Sequence, residues 1–330
     1  MNYSDFLKMV PEASLVSILI ILFVADFISA KAQERKWFNP LVCVLMFAQT
    51  LVCLLPQVAT SAFGGMYVTS NSVEAMKAIL SFGTLIVLIQ SKTWAIKSGK
   101  EGEFYMLIVS TLIGMYVMMS AGHFLMFFLG LEMASVPLAT TVAFDKYRND
   151  SAEAAAKFIL TATFSSGVML YGISLLYAAT GTLYYDDVVS KITPSALSIM
   201  GLVFFFSGLG FKISLVPFHF WTADTYQGAP TSVTGYLSVV SKGAAAFTLC
   251  TILMKVFASL VTYWTCLLFI VIVLSITIAN LFAIRQSELK RFMAFSSISQ
   301  AGYIVLAIVG NTSMSVTALS FYVLVYVVAN

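Results

Sequence analysis

Residues 208–221 read GLGFKISLVPFHFW. A lysine sits behind a long apolar run, and a proline follows five residues later. If residues 195–216 form one unbroken span, Lys212 lies near its end and its ammonium can snorkel to the surface. The aromatic, apolar character nevertheless runs on through Pro217, Phe218, Phe220 and Trp221 before the next charge, Asp224. That continuation favours a longer helix interrupted near Pro217. Proline removes a backbone donor, and the carbonyls it frees are tolerated at membrane depth only beside protein or a wet cavity. A lysine beside such a break has polar partners within reach.

The rest of the chain has the same character. Of its 330 residues, 60% are apolar and 10% charged, where a soluble domain carries about 25% charged residues. Apolar segments fall at 14–30, 39–56, 73–91, 103–121, 123–144, 152–178, 195–216, 231–257, 260–284, 292–310 and 314–329. Each span needs ~20 apolar residues, and no segment alternates in the manner of a barrel strand. The fold expected is an all-α polytopic membrane protein of about eleven transmembrane helices joined by short connections.

A net charge of +3, scattered along the chain, gives no reason to expect a nucleic-acid partner; the lipid bilayer is the expected surrounding. Cys43, Cys53, Cys250 and Cys266 lie inside apolar runs without CxxC spacing or neighbouring histidines, so they read as small hydrophobes and no metal site is expected. Asp5 and Glu12 stand where a secretory leader would carry basic residues, so none is expected. The final stretch, SFYVLVYVVAN, closes on an apolar helix without a polar tail, from which a longer parent chain is expected.

Basic residues fall unevenly. Loops after odd-numbered segments hold Lys31, Arg35, Lys36, Lys92, Lys97, Lys100, Lys146, Arg148, Arg285, Lys290 and Arg291, whereas loops after even-numbered ones hold Lys191 and Lys255. The excess predicts that the odd loops face the cytoplasm and that the N-terminus lies outside.

Several charges fall inside the apolar segments. An ionised side chain at the bilayer centre costs ~2.5–3.5 kcal/mol even on the most lenient scale, so each must be paired, hydrated or near an edge. Lys77 follows Glu74 at i,i+3 near the start of its helix, and an interfacial pair is expected. Asp26 is about one turn from its helix end, close to Lys31. Lys157 follows Glu153 at i,i+4 near the cytoplasmic mouth, where it can snorkel. Glu132, in HFLMFFLGLEMASVPLATTVAF, and Lys242, in TSVTGYLSVVSKGAAAFTLCTIL, are central and reach neither surface. For these two an ion or proton path competes with a structural ion pair.

Longer stretches carry a resemblance. FLGLEMASVPL, SAEAAAKFILTATFSSGVMLYGISLLYAATGT, GLGFKISLVPFHFWTADTYQGAPTSVTGYLSVVSKGAAAF, LKRFMAFSSISQAGY and FYVLVYVVAN resemble the antiporter-like membrane subunits of respiratory complex I, the proton-pumping NADH:quinone oxidoreductase. Within them, GAPTSVTGYLSVVSK is most similar to the subunit N group. The likeness runs from about residue 103 to the end; the first three helices agree in pattern and more loosely in letters.

The resemblance implies inverted five-helix repeats, each with a discontinuous helix. Residues 1–102 would be three N-terminal transmembrane helices, 103–257 the first repeat with helix seven broken, and 258–330 the incomplete start of a second. Position by position, it assigns proton transfer to Glu132, Lys212, Lys157 and Lys242. His219 is a candidate relay, or alternatively a polar residue that satisfies freed backbone. A Glu132–Lys212 pair would keep the lysine charged, and separating the pair would send its proton towards Lys242.

The chain shows no Gly-rich phosphate loop, clustered cysteines or haem-spaced histidines. No cofactor is expected in it; NADH, flavin, iron–sulfur clusters and quinone are expected on partner subunits. The implied partners are other membrane and peripheral subunits of complex I, in a bacterial plasma (inner) membrane. Two other readings share these charges: a subunit of a multi-subunit Na⁺/H⁺ antiporter, and a non-pumping membrane scaffold.

Overall fold

The computed structural model describes residues 3–29, 35–55 and 59–330. Every apolar segment is a helix. In chain order these are α1 (Val10–Ser29), α2 (Phe38–Leu54), α3 (Asn71–Ser98), α4 (Glu101–Met119), α5 (Phe124–Val142), α6 (Asn149–Thr180), a short α7 (Tyr185–Lys191), α8 (Ala196–Ile213), α9 (Phe220–Gly228), α10 (Thr231–Tyr236), α11 (Lys242–Lys255), α12 (Val261–Ile284), α13 (Leu289–Val309) and α14 (Ser313–Ala329). A π-helical turn, Leu237–Ser241, joins α10 to α11 so that Thr231–Lys255 runs as one span. Among the described residues, nine helices are long and apolar enough to cross a membrane, and Phe38–Leu54 and Ser313–Ala329 are shorter apolar helices.

Two elements were not foreseen from the sequence. One is a hairpin, β1 (Ser61–Ala62) against β2 (Tyr67–Val68), and the other is α7. Both are too short to show a hydrophobic period. They sit at one end of the bundle, where Tyr67 bridges to Ala121 and His123 to Tyr184. The loops after α2, α4 and α6 are therefore woven together at this end. His123 Nδ1 accepts from the Leu125 N–H and caps α5, while burial holds the ring below the usual histidine value.

The expected pairing of Asp26 with Lys31 falls on a residue outside those described; Asp26 is paired with Arg35. Helices approach closely where small residues meet, as lipid-embedded bundles require when no hydrophobic force acts between helices. Gly114 of α4 and Gly130 of α5 face each other, and a Cβ on either would run into the partner's backbone. Outward faces remain apolar, with Phe23, Phe27, Leu160, Phe164 and Ile270 exposed as lipid-facing groups.

Candidate functional site

The seventh span is broken where the proline implied, with Pro217 inside the gap between α8 and α9. A proline ring clashes with the carbonyl four residues back, which here is Ile213, and α8 ends there. Ser214 turns into the left-handed region at φ 69°. The freed backbone is taken up by protein. Trp221 Nε1 donates to the Phe211 carbonyl at 3.0 Å, and the Val216 N–H donates to Ser275 Oγ at 2.9 Å on α12.

The break places Lys212 at depth rather than at an edge. Sixteen residues of α8 precede it, roughly 25 Å at the helical rise, and all of α9 lies beyond it. Lys212 is 5% exposed. Its Nζ donates to Ser135 Oγ on α5 at 2.8 Å and lies 6.0 Å from the centre of the Phe158 ring. Glu132 stands one turn from Ser135 and accepts from Ser166 Oγ of α6. Among the described residues no ion pair within 4.0 Å joins Glu132 to Lys212; Ser135 and Ser166 stand where direct contact was expected. A void of about 10 Å³ beside Lys212, lined by Ser135, Ser165 and Ser166 together with apolar groups such as Leu131 and Met169, is about the size of one water probe.

Lys242 follows directly on the π-turn and is 1% exposed. It donates to Ser297 Oγ at 2.7 Å and to the Ser297 carbonyl at 3.2 Å on α13, and lies 5.3 Å from the Tyr226 ring centre. Its partners among the described contacts are hydroxyl, carbonyl and aromatic face, with no carboxylate. π-turns recur at functional sites because they displace one carbonyl and re-aim the side chains that follow.

Helix α9 lies between the two lysines. His219, Thr222, Thr225 and Tyr226 are all buried, and among the described residues the hydroxyls of Thr222 and Thr225 have no hydrogen-bond partner. His219, Thr222 and Tyr226 are spaced i, i+3, i+7 and share one helix face. Four buried polar groups thus fall within residues 219–226, His219 at the N-cap and Thr222, Thr225 and Tyr226 on α9 itself.

Lys157 is placed apart from this group. Its side chain is 46% exposed, and it pairs with Glu153 at 2.8 Å and with Asp224 of α9 at 2.7 Å. Arg291 of α13 holds the other oxygen of Asp224 at 2.6 Å.

Lys77 has one partner more than the sequence showed. Its i,i+3 pair with Glu74 is present at 2.8 Å, and the side chain is in addition fully buried, with Glu12 of α1 at 2.7 Å on its other side. Tyr67 of the hairpin donates to Glu12 and closes the cluster from above. The lid and Glu12 are remote in sequence, so local spacing could not show the depth. Sequence reasoning also missed Ser135, Ser166, Ser297 and Tyr226, which look like ordinary helix-interior residues until a lysine meets them. Asp224 carried a signal as the first charge after the break.

Comparison with known proteins places this geometry. Residues 121–330 match the family described as NADH:quinone oxidoreductase/Mrp antiporter, TM. The chain is 55% identical over 333 residues to the NADH-quinone oxidoreductase subunit N of Phocaeicola vulgatus, covering 100% of this chain and 70% of that relative. It superposes on a chain of respiratory complex I from Thermus thermophilus with TM-score 0.81 and 30% identity, over 97% of this chain and 68% of that one. A chain of the Mrp complex from Dietzia gives the same TM-score of 0.81 at 19% identity, over 97% of this chain and 62% of that one, a likeness of fold alone.

Proposed function

The chain belongs to the antiporter-like membrane subunits of the NADH:quinone oxidoreductase/Mrp family, on its subunit N side, and from that membership we propose that its buried lysines transfer protons. It is a multi-pass membrane subunit of an NADH-quinone oxidoreductase, acting beside other subunits of that complex. Electron transfer, with its NADH, flavin, iron–sulfur and quinone chemistry, belongs to those partners in this reading. We assign 103–257 to the first five-helix repeat and 258–330 to the start of the second, with odd loops cytoplasmic.

The observation that carries the reading is the pair Lys212 and Lys242, both enclosed and both held by neutral groups, with the polar row of α9 between them. A structural ammonium in the membrane would be matched by a carboxylate, as Lys77 is. An ammonium held by a hydroxyl and a ring face can give up its proton without leaving a stranded counter-charge. Glu132, one helical turn along α5 from Ser135, favours the charged form of Lys212 in this reading. When the Glu132 side chain shifts, Lys212 is left to Ser135 and Phe158, and its proton passes along His219, Thr222 and Tyr226 to Lys242. His219 receives and returns the proton at the start of that row. Lys157 acts at the mouth, handing protons in from the cytoplasmic side.

The test is Glu132→Gln in the assembled complex, with proton uptake and NADH oxidation measured together in sealed vesicles. The expected result is a lower proton-to-electron ratio with oxidation retained. An unchanged ratio would falsify the relay. Activity that persists without redox partners and follows a sodium gradient would move the protein to the antiporter class.

A further inference from the structure

Resting on that proton-transfer reading, we propose that Asp224 is a latch. Its carboxylate, shared between Lys157 of α6 and Arg291 of α13, holds α9 shut over the polar row, and its release admits water from the charged vestibule outside.

The vestibule is a cavity of about 570 Å³ between the ends of α6, α9 and α13. Its walls are charged with both signs: Arg148, Asp150, Glu153, Glu288 and Lys290 surround the Lys157–Asp224–Arg291 cluster. Asp224 reaches into it from α9, with Lys157 Nζ on one oxygen at 2.7 Å and Arg291 Nη1 on the other at 2.6 Å. The same Arg291 nitrogen donates to Gln227 Oε1 at 2.8 Å, and Gln227 donates to Glu288. Lys290 Nζ donates to the Ala229 carbonyl at 2.9 Å, at the C-terminal end of α9, where a cation is favoured.

In this proposal α9, bounded on both sides by short irregular segments, turns as a unit. α9 has nine residues, with Ser214–Pro217 before it and Ala229–Pro230 after it. Asp224 lies two residues from Thr222 and from Tyr226, so it projects to the opposite side of the helix from the polar row. Turning Asp224 into the vestibule therefore turns Thr222 and Tyr226 at the same time, and Tyr226 is the ring against Lys242. Asp224 is one-third exposed and Lys157 nearly half, so water competes for both ion pairs and the latch opens at little cost. Two cations from different elements on one carboxylate also make the latch a point where movement of α13 reaches α9.

The test reads access to the row directly. Thr222→Cys, buried behind the latch, is exposed in the assembled complex to a water-soluble methanethiosulfonate added on the vestibule side. Modification at residue 222 is followed by peptide mass, so the native cysteines do not interfere. With Asp224→Asn added, modification is expected to be about tenfold faster, the shift that two part-exposed ion pairs can supply. Asp224→Glu, which keeps the anion, is expected to behave as the parent and to restore the proton-to-electron ratio that Asp224→Asn lowers. Should Asp224→Asn not assemble, Arg291→Gln removes one partner instead and should give a smaller acceleration. Equal rates with and without the carboxylate overturn the latch even where Glu132→Gln abolishes pumping, an outcome that leaves the relay standing. Faster modification together with normal pumping by Glu132→Gln supports the latch and removes the relay.

Discussion

Three lysines are buried among the described residues, and they are held in two ways. Lys77 sits between two carboxylates, with Tyr67 and Tyr116 rings each 5.5 Å from its nitrogen. Lys212 and Lys242 rest on serine oxygens. Removing one member of a buried ion cluster strands the charges left behind, at a cost of about 3–5 kcal/mol. Lys77→Met should therefore lower stability by about that amount in denaturant unfolding of the detergent-solubilised protein, with Glu12→Gln recovering part of the loss. Lys242→Met, which strands no carboxylate, should cost far less in the same measurement. Equal losses for the two would mean that their surroundings do not differ as their partners suggest. The distinction between a charge kept for structure and one available for transfer is thus made by the neighbour, atom by atom.

At the scale of the element, the broken span and the π-turn do complementary work. The break ends α8 beside Lys212 and leaves α9 as a separate short rod; the π-turn sets Lys242 against α13 without interrupting its helix. The break was legible in GLGFKISLVPFHFW because a lysine and a proline fall together in one apolar run; proline alone does not suffice, since Pro137 sits inside the continuous α5. The break's place near Pro217 was legible too, and the last helical residue, Ile213, lies four residues before the ring. Ser214 adopts φ 69° there with its hydroxyl buried and unpartnered. A left-handed conformation costs a non-glycine residue roughly 1–2 kcal/mol. Ser214→Gly is expected to raise stability by about 1 kcal/mol, read as a shift in the unfolding midpoint. A lower midpoint would mean that the serine is held there by something other than backbone geometry. The π-turn had no signature at all: LSVVS is an ordinary helical string, and the extra residue per turn is imposed by packing.

Across the whole molecule, the two ends of the bundle differ. One end carries the hairpin, α7 and the backbone bridges between loops; the other carries the charged vestibule and most of the basic loops. With odd loops cytoplasmic, Tyr147→Cys should be labelled by an impermeant thiol reagent only from the cytoplasmic side, and Asp187→Cys only from the other. Both positions are exposed. The reverse pattern would invert the assignment.

The amino-acid sequence by itself determined the eleven apolar helices, the interruption of the seventh and the centrality of Glu132 and Lys242. These follow from hydropathy, span length and proline chemistry, all of which act over a few residues. The tertiary structure alone decided that Lys77 is enclosed by Glu12, that Lys157 pairs with Asp224, and that Lys212 and Glu132 each bond a serine. Each of those depends on groups from different helices meeting, 65 positions apart for Lys77 and Glu12 and 67 for Lys157 and Asp224. A residue's partners and burial are set by what covers it, and the cover comes from elsewhere in the chain.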